Sequence, residues 1–262
     1  MADWEIESPT TIQFDEFPAE LVVHLVGGSL TVNASPGVAT LEVHQIVGPM
    51  VRVSLEQVKL EVIQEQPSFW RTDSTRVAAS VTLSVPAGCR VRIQTVSASV
   101  LLEGLTAEVE LKTVSGEATL ESLRGPVTTE TVSGSVISRG QLAKFRGQTI
   151  SGSVTLDSFG GSSVRLQTVS GEVVADLKLA LPEGSAEMET VSGAVYLRLS
   201  AEPSQKVRVE SVSGRLTSAF PELRAESGPG SRTLKGALGE GRGRLKVSTV
   251  SGSVSLLREA TG

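Results

Sequence analysis

From Thr113 the chain reads Thr-Val-Ser-Gly-Glu-Ala-Thr-Leu, with an apolar or small side chain at every second position. Val114, Gly116, Ala118 and Leu120 fall on one face, and Thr113, Ser115, Glu117 and Thr119 fall on the other. A period of two marks a half-buried strand. The pattern recurs with Ile150, Gly152, Val154 and Leu156, and again with Val191, Gly193, Val195, Leu197 and Leu199. A second short strand precedes each of these runs, carried by Val109 and Leu111, Val164 and Leu166, Val207 and Val209, or Leu245 and Val247. Between Leu166 and Val169 the inward parity slips by one residue. A slip of one would turn the next strand inside out unless the chain bends there, so corners are predicted at Gln167-Thr168 and its equivalents.

The phrase Thr-Val-Ser-Gly or a near copy occurs eight times, ending at Ala98, Gly116, Gly134, Gly152, Gly171, Gly193, Gly214 and Gly252, in steps of 18, 18, 18, 19, 22, 21 and 38 residues. Self-similarity at a near-fixed period is the signature of a solenoid, whose units bury their apolar faces only against neighbours. Two or three short strands with corners in 18–22 residues match one coil. The predicted fold is therefore all-β, a single-stranded parallel β-helix with the right-handed crossovers that parallel connections favour. Glycine at an inward position implies either a positive φ or a wall too close to the opposite sheet for a Cβ. Ala98 in the first copy points to the second cause.

Residues 1–90 are read as longer N-terminal rungs and a cap, continuous with a regular β-helix over 91–262, in one structural domain. The runs 21–26, 30–32, 39–46, 51–55, 58–64 and 77–85 are strand-like, and Trp4, Phe14, Phe17, Phe69 and Trp70 suit a plug over the open end. The 38-residue step is close to two coils, with Glu226-Ser227-Gly228 as a decayed copy. The rung around Val254 would be the uncovered last one.

Composition narrows the chemistry. The net charge of -5 gives no reason to expect nucleic acid. Between Arg224 and Lys246 six basic residues face Glu226 and Glu240, which reads as a loop of solvated charge rather than an anion site. Cys89 is alone, so it is a small filler and not part of a disulfide or metal cluster. His24 and His44 lack a carboxylate at a supporting spacing and read as ordinary histidines. The five aspartates are scattered and nominate no glycosidase pair. Gly239, Gly241 and Gly243 are not followed by a helix, which excludes a phosphate-binding loop. No catalytic, cofactor-binding or metal-ligating residue is nominated, and the chain is read as not an enzyme. The N-terminus has no secretory leader, so a cytoplasmic protein is expected, or an envelope-associated one if a leader was removed.

What remains is a ladder of hydroxyls. Thr113, Ser115, Thr131, Ser133, Thr149, Ser151, Thr168 and Ser170 are expected to form parallel files along one outward face, the candidate interaction surface. Thr favours strands, so propensity alone also accounts for such files.

The repeated TVSG phrases, the run Leu83-Ser84-Val85-Pro86-Ala87-Gly88 leading through Val91-Arg92-Ile93 into the first repeat, and the ending GEGRGRLKVSTVSGSVSLL from Gly239 resemble the toastrack family of bacterial adhesin-like proteins, domain of unknown function 4097. The resemblance covers about residues 20 to 258. It implies a β-helix without agreed catalytic residues, in association with envelope-stress and membrane-linked signalling. The leading expectation is a non-enzymatic interaction or scaffold protein that meets a protein or envelope polymer. A filament or oligomer protein of the bactofilin kind, joined through the solenoid ends, is the alternative, and a carbohydrate-active or carbohydrate-binding protein comes third.

Overall fold

Alternating apolar positions turn into strands throughout the computed structural model, which describes residues 2–64, 77–178, 184–228 and 230–259. The chain forms two compact units, Met1–Pro126 and Val127–Gly262. The first holds β1 (Ala2–Ile6), β2 (Thr10–Phe14), β3 (Glu20–Leu25), β4 (Gly28–Ala34), β5 (Ala39–Val47), β6 (Val51–Glu56), β7 (Lys59–Gln64), β8 (Ala78–Val85), β9 (Arg90–Thr95), β10 (Ser99–Glu103), β11 (Val109–Thr113) and β12 (Ala118–Glu121). The second holds β13 (Pro126–Thr131), β14 (Val136–Arg139), β15 (Lys144–Thr149), β16 (Val154–Phe159), β17 (Ser163–Thr168), β18 (Val173–Leu177), β19 (Ser185–Thr190), β20 (Val195–Leu199), β21 (Gln205–Ser211), β22 (Leu216–Ser218), β23 (Arg224–Gly228), β24 (Ser231–Ala237), β25 (Gly243–Thr249) and β26 (Val254–Arg258). The fold is an all-β, β-helix-like solenoid.

Each regular coil gives one strand to each of two sheets. In the first unit the orders are β1-β6-β7-β3-β9-β11 and β2-β5-β8-β4-β10-β12. In the second they are β13-β15-β17-β19-β25-β21-β24-β23 and β14-β16-β18-β20-β26-β22. Neighbouring coils pair in parallel, one repeat apart, as in Val109 with Val91 and Val164 with Ala186. Inward side chains such as Leu111, Leu120, Leu166, Leu197 and Val247 are at most 1% exposed. The core is thus a thin layer of aliphatics between two sheets, as the paucity of aromatics requires.

The N-terminal cap is built differently from a plain stack of rungs. Strands β1, β6 and β7 pair antiparallel, as do β2, β5 and β8. The first coil, β3 with β4, lies between the later strands β7 and β8 on one side and β9 and β10 on the other. Trp4 and Phe14 meet edge to face, 5.5 Å between ring centroids, which closes the gap between the sheets. Phe17 does not join them: it is 56% exposed. Phe69 and Trp70 lie outside the described residues.

The C-terminal end departs from expectation in a similar way. Glu226-Ser227-Gly228 is no decayed coil but part of β23, which pairs antiparallel with β24. That hairpin occupies one side of β21, with Val209 opposite Leu234, so the returning strand β25 inserts on the other side, between β19 and β21. Val254 therefore sits in an interior strand, flanked by β20 and β22.

The corner also sits two residues later than predicted. Inward parity continues through the motif threonine and breaks at Val-Ser: Thr113, Thr131, Thr149, Thr168, Thr190 and Thr249 are buried, whereas Val114, Val132, Ile150, Val169, Val191 and Val250 are exposed. The reversal has a hydrogen-bond cause. Each threonine Oγ1 accepts from the backbone N–H of the glycine three residues on, at 3.1 Å for Thr113–Gly116, 2.9 Å for Thr168–Gly171 and 2.9 Å for Thr249–Gly252. Ser211 does the same for Gly214 at 2.7 Å. A buried hydroxyl so engaged satisfies a backbone donor that the bend would otherwise orphan. In the first unit the Thr95 hydroxyl also donates to that of Thr113 at 3.0 Å.

The motif glycines do not adopt positive φ. Close approach is the reason for them, but the near wall is the preceding coil rather than the opposite sheet. A Cβ on Gly152 would lie 1.9 Å from the carbonyl oxygen of Gly134, and one on Gly193 would lie 1.8 Å from that of Gly171. Ala98 stands just before β10, whose Ser99 pairs with Ser29 of β4, and the glycine before Ser29, Gly28, has φ +101°.

Two stability measurements by urea unfolding follow from this corner. Gly193→Ala is expected to lose about 3 kcal/mol or more through overpacking against fixed backbone. Gly228→Ala, where a Cβ meets nothing closer than 3.8 Å, is expected to be near neutral. Equal stability of the two would refute the close-approach account. Thr168→Val, which keeps the shape and deletes the acceptor, is expected to lose about 1–3 kcal/mol. Thr168→Ser keeps the acceptor and is expected to lose only about 0.8 kcal/mol, for one methyl.

Candidate functional site

The predicted hydroxyl face divides into two sets with opposite fates. Thr113, Thr131, Thr149 and Thr168 are turned inward and spent on the corner, so they leave the surface. Ser115, Ser133, Ser151 and Ser170 are exposed. The hydroxyls of Ser115, Ser151 and Ser170 are nonetheless engaged. Ser151 Oγ and its backbone N–H both donate to the Val132 carbonyl, at 3.3 and 2.9 Å. Ser170 repeats this on Ile150, Ser192 on Val169, Ser251 on Val191, and Ser213 on Val250. Ser115 does so on Val96 in the first unit.

The residues that take the surface instead are the aliphatics of the same phrase. In the stacking order of the second unit they are Val132, Ile150, Val169, Val191, Val250 and Val212, each between 43% and 54% exposed. At a strand spacing of about 4.8 Å they form a ridge roughly 24 Å long. Its flank is formed by the motif serines and, beyond each glycine, by Ser135, Ser153, Glu172, Ala194, Ser253 and Arg215. Reading Val as core and Thr as surface assigned this ridge to the wrong residues. The spacing of three between hydroxyl and glycine was the sequence signal that could have found it.

The outward faces of the second unit's sheets carry ion pairs, and the smaller sheet also exposes Val174, Tyr196 and Leu257. Glu187 on β19 accepts from Arg165 on β17 at 2.5 Å and from Lys246 on β25 at 3.1 Å. The Lys246 ammonium first, and then the Arg165 guanidinium, hold its carboxyl below the usual carboxylate range. Asp176 on β18 is bound by Arg198 on β20 at 2.5 Å. The six basic residues between Arg224 and Lys246 are not in a loop of their own: Arg224, Arg232, Lys235, Arg244 and Lys246 lie on β23, β24 and β25, with Arg242 just before β25. Gly239 and Gly241 have positive φ and form the turn between β24 and β25. The first unit carries a shallow recess of about 370 Å³ lined by Phe17, Ala34, Ser35, Pro36, Pro86 and Ala87, almost wholly apolar.

The remaining candidates stay apart. His24 is on β3 and His44 on β5, strands of different sheets, and His44 Nε2 sits 3.0 Å from Thr82 Oγ1. Among the described residues no three His, Cys, Asp or Glu side chains come close enough to hold a metal. Cys89 is fully buried, and burial, helped by Glu20, pushes its thiol up to about 12, so it stays protonated and unreactive. Among the described residues no helix is long and apolar enough to cross a membrane.

No curated protein matches the sequence. Solved structures do match the fold. A putative adhesin from Bacteroides fragilis NCTC 9343 superposes with a TM-score of 0.56 at 11% identity, covering 96% of this chain and 98% of that one. A putative adhesin from Parabacteroides distasonis ATCC 8503 gives 0.56 at 14% identity, with 95% and 96% covered. A protein from the same organism, described as a putative lipid binding protein, gives 0.55 at 12% identity, with 97% of each chain covered. At such identities the likeness is one of fold. The model of the Toastrack DUF4097 family matches residues 51–257, most of the chain and every full TVSG copy, and the chain belongs to that family.

Proposed function

We propose that this chain is a non-enzymatic, adhesin-like recognition protein that meets its partner through the aliphatic ridge of the TVSG corners. The carrying observation is the row of six exposed β-branched side chains, Val132 to Val212, held in register by the corner hydrogen bonds. Exposed aliphatics scattered singly are ordinary, but a contiguous row is the kind of surface that partners cover. Two physical features favour burial of this one. Val and Ile have few rotamers to lose, so ordering them on binding costs little. The flanking serines already donate their hydroxyl protons to carbonyls of the neighbouring coil, so covering them orphans no donor. The fold neighbours described as adhesins and as a lipid binding protein support a role at the bacterial envelope. The partner this ridge suits is an envelope component with an apolar strip of its own.

The test uses purified full-length chain and isolated bacterial envelope fractions in a sedimentation assay. Wild type is expected to be retained. A triple variant, Ile150→Thr, Val169→Thr and Val191→Thr, keeps strand-forming residues and is expected to lose retention roughly tenfold, the scale of a central hot spot. Retention of the variant at the wild-type level would place recognition elsewhere. Failure of wild type to bind any envelope fraction would remove the adhesin-like reading.

A further inference from the structure

Register places charges that are far apart in sequence into columns on the outward face of the second unit's larger sheet. Arg146, Arg165, Glu187, Lys246, Arg208, Lys235 and Arg224 are successive partners across β15, β17, β19, β25, β21, β24 and β23. Six of these seven residues are cationic. The column beside it, nearer the starts of the parallel strands, is Lys144, Ser163, Ser185, Arg244, Lys206 and Ala237, with three cations and no carboxylate. On the other side run Gln148, Gln167, Glu189, Ser248, Glu210, Thr233 and Glu226, with three carboxylates and no cation. The first two columns thus hold nine cations and one carboxylate, in a chain whose net charge is -5; Arg165 and Lys246 share Glu187, while Arg208 and Lys235 pair with Glu210 and Glu226 of the third column. Lys144, Arg146, Lys206, Arg224 and Arg244 have no ion-pair partner among the described residues.

We infer that this stripe binds a linear acidic polysaccharide lying along the stack, across the strands. Six strand steps make the stripe about 29 Å long, and two columns make it about 7 Å between column centres, the dimensions of a groove-free track for one extended polymer. The third column bounds it: Glu189, Glu210 and Glu226 repel an anion that strays sideways and hold it over the cations. A planar anionic bilayer would press on those carboxylates as well, which disfavours a membrane as occupant. Single-stranded nucleic acid is disfavoured because none of the outward residues in the three columns is aromatic, so bases find nothing to stack on. Sugars need no such platform, and Ser163, Ser185, Gln148, Gln167, Ser248 and Thr233 offer hydroxyl and amide partners to sugar hydroxyls on both flanks. Guanidinium groups at Arg146, Arg244 and Arg224 suit carboxylate or sulfate in the paired geometry that lysine cannot give.

This surface is separate from the ridge and goes beyond the function proposed for it. The test measures binding of the full-length protein to polygalacturonate, dextran sulfate and uncharged dextran. Phosphatidylglycerol-containing vesicles and an oligothymidylate serve as the competing anions. Both acidic polysaccharides are expected to bind and dextran is not, with affinity falling steeply as salt rises, by release of counterions. The quadruple variant Arg146→Gln, Lys206→Gln, Arg224→Gln, Arg244→Gln is expected to lose about tenfold or more at low salt and to show a shallower salt slope. Glu189→Gln with Glu210→Gln is expected to bind more tightly, an opposite sign that a merely damaged fold would not produce. The ridge triple variant is expected to bind as wild type does. Absence of binding to both acidic polymers, an unaltered affinity in the quadruple variant, or stronger binding to vesicles or oligothymidylate than to either polysaccharide would overturn the inference.

Discussion

Everything regular in the second unit depends on how closely successive coils approach at one corner. There the glycine of each coil lies against the carbonyl of the glycine in the coil before it, with no room for a Cβ at Gly152, Gly171, Gly193, Gly252 or Gly214. The buried hydroxyl three residues upstream accepts from the glycine N–H at 2.7 Å to 3.1 Å. The contact is steric on one side and directional on the other. A larger residue would push coils apart, and a missing hydroxyl would leave a buried amide without an acceptor. Ser211 standing in for threonine shows that the oxygen, and not the methyl, is what the corner requires.

The surfaces follow from that constraint. Since the hydroxyl is needed inside, the intervening Val and Ser must pass around the outside of the bend, and one copy per coil becomes a ridge. Coil-to-coil hydrogen bonds from serine to the valine or isoleucine carbonyl of the preceding coil then fix the spacing of the ridge. On the adjoining sheet the same register lines up side chains from segments as far apart in sequence as Arg146 and Lys246 into a column of mostly one charge. The scaffold's chemistry lies in what its repeats display.

The inward set of the strands was legible from alternation alone: Val109, Leu111, Ala118, Leu120, Val154, Leu156, Val195 and Leu197 are all buried as the pattern required. The motif itself was misread because apolar was equated with inside. Burying Thr168 costs little once its oxygen has a partner, and exposing Val169 costs little for a single β-branched residue on a bend. Periodicity contains no term for either balance. The same limit explains the basic segment from Arg224 to Lys246. Locally it resembles a solvated loop, and its meaning arises only when Lys246 is set beside Glu187 and Arg208.

By itself the sequence determined the coil length, the thin aliphatic core and the need for glycine at each turn, because these depend on residues within one repeat. Strand order at both ends was decided by tertiary structure. The β23–β24 hairpin takes one side of β21 and sends β25 between β19 and β21, while β3 and β4 lie inside the N-terminal stack rather than at its edge. Which partner fills an open strand edge depends on competition among segments distant in the chain, and no local pattern records its outcome. The same holds for the faces on display, since a ridge or a charged column exists only after coils have been stacked in register.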